Sequence, residues 1–274
     1  MKSQAEKGRT FRALHERDRA FIIPNPWDIG TARLLAHAGF EALATTSMGY
    51  AFSAGKPDGA IKRDEMIAHV AEIVAATDLP VSADLENGYA DAPERAAETI
   101  RLGAEAGLVG GSIEDATGRA DDPIYELKHA ADRVRAAVAV ARSLPFTFTL
   151  TARAENFLHG RPDLKDTIAR LQAYQEAGAD VLYAPALATK EDIAAVVRSV
   201  DRPVNVVMGL RGVQLSLDDL SALGVKRVSV GSSLMRTALG AFLSASSEMR
   251  ERGTFTFAAD AASARDITAI FKSS

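Results

Sequence analysis

The chain has no cysteine in its 274 residues and only five histidines. The first absence excludes disulfides, thiolate metal sites and a cysteine nucleophile or acid, and it suits a reducing cytosol. The second leaves carboxylates as the main supply of metal ligands. No apolar run approaches the roughly 20 residues needed to span a bilayer, so no membrane partner is expected. A basic stripe is missing too: the formal net charge is −4, which argues against a nucleic-acid surface. The opening Met1-Lys2-Ser3-Gln4-Ala5-Glu6-Lys7 has no apolar core and does not read as a signal peptide. A soluble, cytoplasmic protein is expected.

Apolar residues make up 47% of the chain, enough for a sizeable core, and 274 residues suit one α/β barrel, which commonly reaches about 250. Eight times a short apolar or β-branched run gives way to helical periodicity. The runs are Phe21 to Pro24, Ala42 to Thr46, Val81 onward, Val109 to Glu114, Phe146 to Thr151, Val181 to Tyr183, Val204 to Val207 and Arg227 to Val230. Helices are expected near Gln4 to Arg19, Trp27 to Ala38, Arg63 to Ala76, Asp122 to Ser143, Pro162 to Ala177, Thr189 to Val200 and Ser216 to Leu223. One more starts at a capping-box-like Asp91 and Glu94, and two close the chain. Ser47 to Ala60 reads as a long Gly-rich segment. Glycine separates helix from strand at Gly39, Gly107, Gly178 and Gly224, as a left-handed cap requires. These units predict a single (β/α)8 TIM-type barrel over residues 1–274, with an extra N-terminal helix and C-terminal helices. A doubly wound sheet is the alternative, but Pro24-Asn25-Pro26-Trp27 is nothing like the Gly-x-Gly-x-x-Gly turn that fold places after its first strand.

In such a barrel the site lies at the carboxyl ends of the strands. The third strand closes as Ala83-Asp84-Leu85-Glu86-Asn87-Gly88 and the fourth as Ile113-Glu114-Asp115. Strand alternation turns Asp84 and Glu86 the same way, and like charges so close repel unless a cation sits between them. With Glu114 at the next strand end, a metal site is favoured over plain solvation. Magnesium suits carboxylate and water ligands better than zinc, with manganese as the alternative. Asp58, in the segment after strand two, could reach the ion through water. Arg153 ends the fifth strand, where it can grip a substrate carboxylate bidentately or pair with Glu155 or Glu114. Thr45, Thr46, Ser47 and Gly49 offer hydroxyls and backbone N–H groups for a carboxylate or phosphate oxygen; Tyr183 and Asn205 complete the expected substrate-binding set. His15, His37, His69 and His129 fall on helices outside the barrel, whereas His159 lies in the loop after strand five.

Together these residues resemble the isocitrate lyase/phosphoenolpyruvate mutase superfamily. The likeness rests on Thr46-Ser47-Met48-Gly49-Tyr50 leading to Gly55-Lys56-Pro57-Asp58, on Ser82 to Tyr89, on Ile113-Glu114-Asp115, on Thr151-Ala152-Arg153-Ala154-Glu155 and on the Ala177 to Asp180 junction. The resemblance implies magnesium bound directly by Asp84, with Asp58, Glu86 and Glu114 acting largely through coordinated water. It also implies a homo-oligomer, dimer or tetramer, whose last barrel helix packs on a neighbouring subunit. The chain departs from the lyase branch, which carries a Cys-Gly-His loop after the strand-four acids; here that stretch reads Ala116-Thr117-Gly118-Arg119-Ala120.

Three functions are therefore weighed. The first is a magnesium-dependent carbon–carbon lyase or decarboxylase acting on a small 2-oxo or 2-hydroxy di-acid through an enolate, with Arg153, Tyr50, Glu155 and His159 as catalytic candidates. The second is phosphonomutase or phosphonopyruvate-hydrolase chemistry, suggested by Glu155 in its Ala-Arg-x-Glu context. The third is a barrel that binds a 2-oxo acid without turnover.

Overall fold

The structure is a computed structural model that describes residues 2–187, 189–210, 212 and 214–272, so Met1 of the polar amino terminus lies outside it. Eight parallel strands follow one another: β1 Phe21–Ile23, β2 Leu43–Ala44, β3 Val81–Asp84, β4 Gly110–Glu114, β5 Thr149–Arg153, β6 Val181–Tyr183, β7 Val204–Val207 and β8 Arg227–Ser229. Their order, β1-β8-β7-β6-β5-β4-β3-β2, is that of a (β/α)8 barrel as expected. The helices are α1 Gln4–His15, α2 Ile29–His37, α3 Ser47–Ser53, α4 Arg63–Ala75, α5 Pro93–Glu105, α6 Leu127–Ser143, α7 Leu164–Glu176, α8 Lys190–Arg198, α9 Leu217–Ala222, α10 Ser233–Arg252 and α11 Ala264–Lys272.

Ladder pairing runs around the barrel except between β1 and β2. Pro24 follows β1 directly and has no N–H to donate, so no ladder forms there. A single backbone bond from Ala44 N to Pro24 O (3.1 Å) closes the seam. The Asn25 side chain reinforces it. Its Nδ2 donates to Thr45 O at 3.0 Å, and its Oδ1 accepts from Val230 N and Gly231 N, both at 2.9 Å.

Between strands and helices lies the main apolar layer, with Leu85, Leu108, Leu150 and Val196 fully buried. Each such side chain contributes about 1.5–3 kcal/mol. A smaller cluster forms where α1 covers the amino-terminal end of the barrel and packs Phe11 and Leu14 against Phe21, Ile23 and Val109. The junction glycines behave as their positions predict. Gly107 has φ +101°, and a Cβ there would lie 2.7 Å from Val74 Cγ1. At the far end α11 returns to α2, with the Arg33 guanidinium donating to Phe271 O at 3.1 Å.

Several local expectations need correction. β5 begins at Thr149, not Phe146, because its register is set by β4, which pairs Gly110 with Thr149 and Glu114 with Arg153. The segment after β2 is not all loop: Thr46 caps α3 by accepting from Gly49 N at 3.2 Å. Asp91 caps nothing. α5 starts from Ala92 with Pro93 in its first turn, while Asp91 is bonded to the Tyr125 hydroxyl and to Arg119 (3.1 Å). Residues 122–126 precede α6, which starts after Glu126.

Candidate active site

β3, β4 and β5 end side by side, and register pairing sets Asp84 against Ser112 and Glu114 against Arg153. The Arg153 side chain, 13% exposed, is the centre of the arrangement. Its Nη1 donates to Asp84 Oδ1 at 2.8 Å and lies 3.1 Å from Glu114 Oε2. Its Nη2 and Nε reach Glu155 Oε1 at 2.9 and 3.0 Å. The Tyr183 ring lies under the guanidinium, 5.1 Å from ring centre to Cζ. Three carboxylates thus share one cation, and Asp58 and Glu86 line the same cleft. The cleft has a volume of about 550 Å³, enough for a small acid and water.

Asp84 is fixed from both sides. Its backbone N–H donates to Thr45 Oγ1 at 3.1 Å, and its Oδ2 accepts from Ser47 Oγ (2.9 Å) and Ser47 N (3.3 Å). Glu86 does not follow from strand alternation, since β3 stops at Asp84 and Glu86 takes φ +47°. Its place in the cleft comes from a tight turn in which Gly88 and Tyr89 also have positive φ. Left-handed non-glycine residues of this kind cost on the order of 1–3 kcal/mol each. Gly88 admits no side chain, because a Cβ would stand 2.9 Å from Ala96 Cα. Arg133, 1% exposed on α6, holds the loop by donating to the carbonyls of Asn87, Ala90 and Asp91.

Asp115 supports Glu155 from behind. Only 2% exposed, it accepts from Glu155 N (2.8 Å), Tyr174 Oη (2.6 Å) and Arg170 Nη1 (3.1 Å).

Burial and mutual repulsion push these acids toward their neutral forms. Burial, then Asp84 and Asp58, pushes the Glu86 carboxyl up to about 7. Burial also raises Glu155 to about 7 against the pull of Arg153, and raises Glu114 despite the same guanidinium. Asp58 is raised by burial and by Asp84. A divalent cation would relieve this repulsion, and carboxylate oxygens are the ligands Mg2+ prefers. Among the described residues no three Asp, Glu or His side chains converge closely enough to enclose an ion by themselves. Asp58, Asp84, Glu86 and Glu114 would together suit an ion that keeps most of its water.

Other expected site residues fall in different places. Ser47, Thr46 and His159 line the cleft. Gly49 does not, because its N–H is spent on the α3 cap. Tyr50 is turned away: its ring stacks on His69 at 3.7 Å and 7°, outside the cleft. Thr45 and Asn205 line a deeper cavity inside the barrel, and Tyr183 borders both spaces. Residues the sequence did not single out are Asn25, Asp115, Arg227 and Arg236. Arg236 lies one turn into α10 and lines the cleft; the arginine after the strand-eight glycine was its only available signal.

A parallel barrel with acids gathered at the carboxyl ends of its strands is the architecture of a TIM-barrel enzyme. Residues 11–250 match the family described as phosphoenolpyruvate phosphomutase. A crystal structure from Burkholderia cenocepacia J2315, provisionally called a lyase/mutase, is 68% identical with a TM-score of 0.96, covering 98% of this chain and 96% of that one. The 2-methylisocitrate lyase of Halalkalibacterium halodurans is 30% identical over 210 residues, covering 74% of this chain and 68% of its own length. A phosphonopyruvate hydrolase in complex with oxalate and Mg++ has the same fold at TM-score 0.86 and 23% identity, over 97% of this chain and 95% of that one. The chain belongs to the phosphoenolpyruvate phosphomutase family, within the PEP mutase/isocitrate lyase superfamily of enzymes.

Proposed function

We propose that the protein is a Mg2+-dependent carbon–carbon lyase or decarboxylase acting on a small 2-oxo or 2-hydroxy di-acid through an enolate. The observation that carries this reading is the junction of Asp84, Glu114, Arg153 and Glu155 at the barrel mouth. When bound there, the cation would supply Lewis-acid stabilisation of negative charge on a substrate oxygen. Arg153, already oriented by three acids, would hold a carboxylate or the developing oxyanion. Ser47 and the Thr45–Thr46 turn would position the acid against Asp84. In decarboxylation the bond to the leaving carboxylate breaks as CO2 departs, and its electron pair becomes the enolate, which then takes a proton. Glu155, which burial raises and which lies against Arg153 outside the proposed metal set, is suited to carry that proton. His159, exposed on the cleft wall, is a second candidate.

The relatives named 2-methylisocitrate lyase, and one of Eubacterium barkeri named 2,3-dimethylmalate lyase, support cleavage of small branched acids. Phosphorus–carbon chemistry is the second reading, supported by the family match and by the hydrolase of the same fold. Purified protein with Mg2+ would be screened against 2-oxo and 2-hydroxy di-acids, with phosphonopyruvate and phosphoenolpyruvate followed by phosphorus NMR. Turnover of a di-acid that stops on chelation supports the lyase; a phosphorus signal change in its place selects the second reading. Turnover of neither class sinks both.

The reading includes a homo-oligomer, dimer or tetramer, in the cytoplasm. α10 leaves Phe242 66% and Leu243 65% exposed, an apolar surface that a second subunit would cover. Light scattering of the purified chain tests this, and a monomer at micromolar concentration would refute it.

A further inference from the structure

The cleft is electrically lopsided. Its acids, Asp58, Asp84, Glu86, Glu114 and Glu155, all come from the stretch between the end of β2 and the loop after β5. The other wall, built after β6, β7 and β8, presents Pro185, Val207, Leu210, Ser232 and Arg236 and holds no acid among the described residues. Arg153 is already committed, with Nη1, Nη2 and Nε all facing carboxylates. Arg236 is exposed, and its guanidinium makes no hydrogen bond or ion pair with any described residue. It stands one turn after Ser232, the N-cap of α10, and residues four apart share a helix face. Ser232 is 8% exposed; its hydroxyl does not cap α10 and has no partner among the described residues. Ser233 beside it is anchored, its Oγ donating to Gly209 O at 2.9 Å. The start of a helix disfavours a cation, because the unsatisfied N–H groups there already carry partial positive charge. Arg236 adds a full charge at that end, and no protein anion offsets it.

We propose that Arg236, with the Ser232 hydroxyl, receives the second carboxylate of a di-acid whose other end lies on the metal side of the cleft, and so sets a preference for di-acids over mono-acids. This rests on the Mg2+ and di-acid part of the reading above, not on which bond breaks. A second carboxylate placed among the five acids would be repelled. On the far wall it meets a free guanidinium, whose fork can hold it with two parallel hydrogen bonds. The Ser232 hydroxyl supplies a third donor, and the apolar Pro185, Val207 and Leu210 suit the carbon chain between the two ends. A mono-acid would leave Arg236 unmet. In the sheet β5 and β8 are separated by β6 and β7, so Arg153 and Arg236 reach the cleft from different sides and can serve the two ends of one ligand.

The test is titration calorimetry of the whole protein with Mg2+, which reads binding and not turnover. Oxalate is short and needs only the metal side; malate and 3,3-difluorooxaloacetate carry a further carboxylate, and lactate is malate without it. Arg236→Met should weaken the tighter di-acid by about 10–100-fold and leave oxalate and lactate within about twofold. Arg236→Lys should recover part of the loss, since it keeps the charge without the fork. Ser232→Ala should cost less than Arg236→Met. The Arg236→Met protein should keep its metal-free melting midpoint, because the side chain is exposed and unpaired, so lost affinity is not lost fold. Di-acid binding unmoved by Arg236→Met, or oxalate weakened equally, overturns the proposal. If oxalate binds and no di-acid does, the Arg236 assignment falls and the metal site stands. If nothing binds in the presence of Mg2+, the reading of the cleft falls with it. Weakening confined to phosphonopyruvate would replace the second carboxylate by a phosphonate and overturn the di-acid preference.

Discussion

At the mouth of the barrel Arg153 is met by Asp84, Glu114 and Glu155, whereas inside it Arg227 is met by an amide oxygen and a hydroxyl. Tyr183 borders both: its ring faces Arg153, and it lines the inner cavity together with Arg227. Burial pulls the Arg227 guanidinium down to about 10, with Arg153 adding to the effect, while the carboxylates hold Arg153 well above its ordinary value. Local charge balance, more than burial, separates the two: both are deeply placed, yet one sits among anions and the other lacks one. The mouth is short of positive charge and the interior is short of negative charge.

The most severe way to break this contrast is Arg153→Met. Three carboxylates would lose their shared cation, and stability should fall by about 3–5 kcal/mol, read by denaturant unfolding; a loss below 1 kcal/mol would show that Arg153 does not hold the cluster. Next comes Asp84→Ala, which should lower Mg2+-dependent turnover by roughly 10²–10³-fold or more. Activity that survives both this change and chelation would remove Asp84 from the site.

A third experiment sharpens the comparison through pH. Glu86 and Glu155 titrate near 7 in the folded, metal-free protein and near 4.5 when unfolded. Between those values the native state keeps protons that the unfolded chain has lost. Their contribution is therefore complete below about 4.5 and disappears as pH rises through 7. The metal-free melting midpoint should carry a falling component from pH 5 to 7.5, and Mg2+ should raise the midpoint more at pH 7.5 than at pH 5. An equal Mg2+ effect at both would contradict the assignment of Glu86 to the cation site.

Asp115→Asn should have a smaller effect, about 1–3 kcal/mol. An amide nitrogen there would face the donors Arg170 or Glu155 N–H, and the pH dependence attributed to Glu155 should shift. The smallest effect belongs to Tyr50→Phe, because the ring stacks on His69 away from the cleft. Stability should change by within about 0.5 kcal/mol and turnover should not move; a large loss would return Tyr50 to the site.

The barrel was legible because its punctuation is local. Glycine at four helix–strand junctions and acids at the ends of β3, β4 and β5 belong to short segments whose chemistry does not depend on distant contacts. Arg153 and Glu155 were found by the same logic even though β5 starts three residues later than its apolar run implies, since register with β4 is a tertiary property. Glu86 was found by a wrong argument: it lies in a left-handed turn, where alternation has no meaning. Gly49 was misread because nothing in the sequence says that Thr46 would consume its N–H in a cap. Arg227 and Asp115 were missed for another reason. Their roles depend on facing the barrel interior or the back of a loop, and period-two patterning in a three-residue strand is too short to show that.

Beside the backbone bond from Ala44 to Pro24, the join between the first and second strands rests on one amide side chain, Asn25, that ties together three separate segments. Removing it would strand a carbonyl at Thr45 and two N–H groups at Val230 and Gly231, each beside the mouth. The cylinder would then tend to part along that line, moving Gly231 and Arg236 away from the Thr45–Ser47 turn, which stays bonded to β3 and Asp84. What looks like a small polar residue in a proline-rich turn is thus the clasp that keeps the two halves of the binding cleft at a fixed distance.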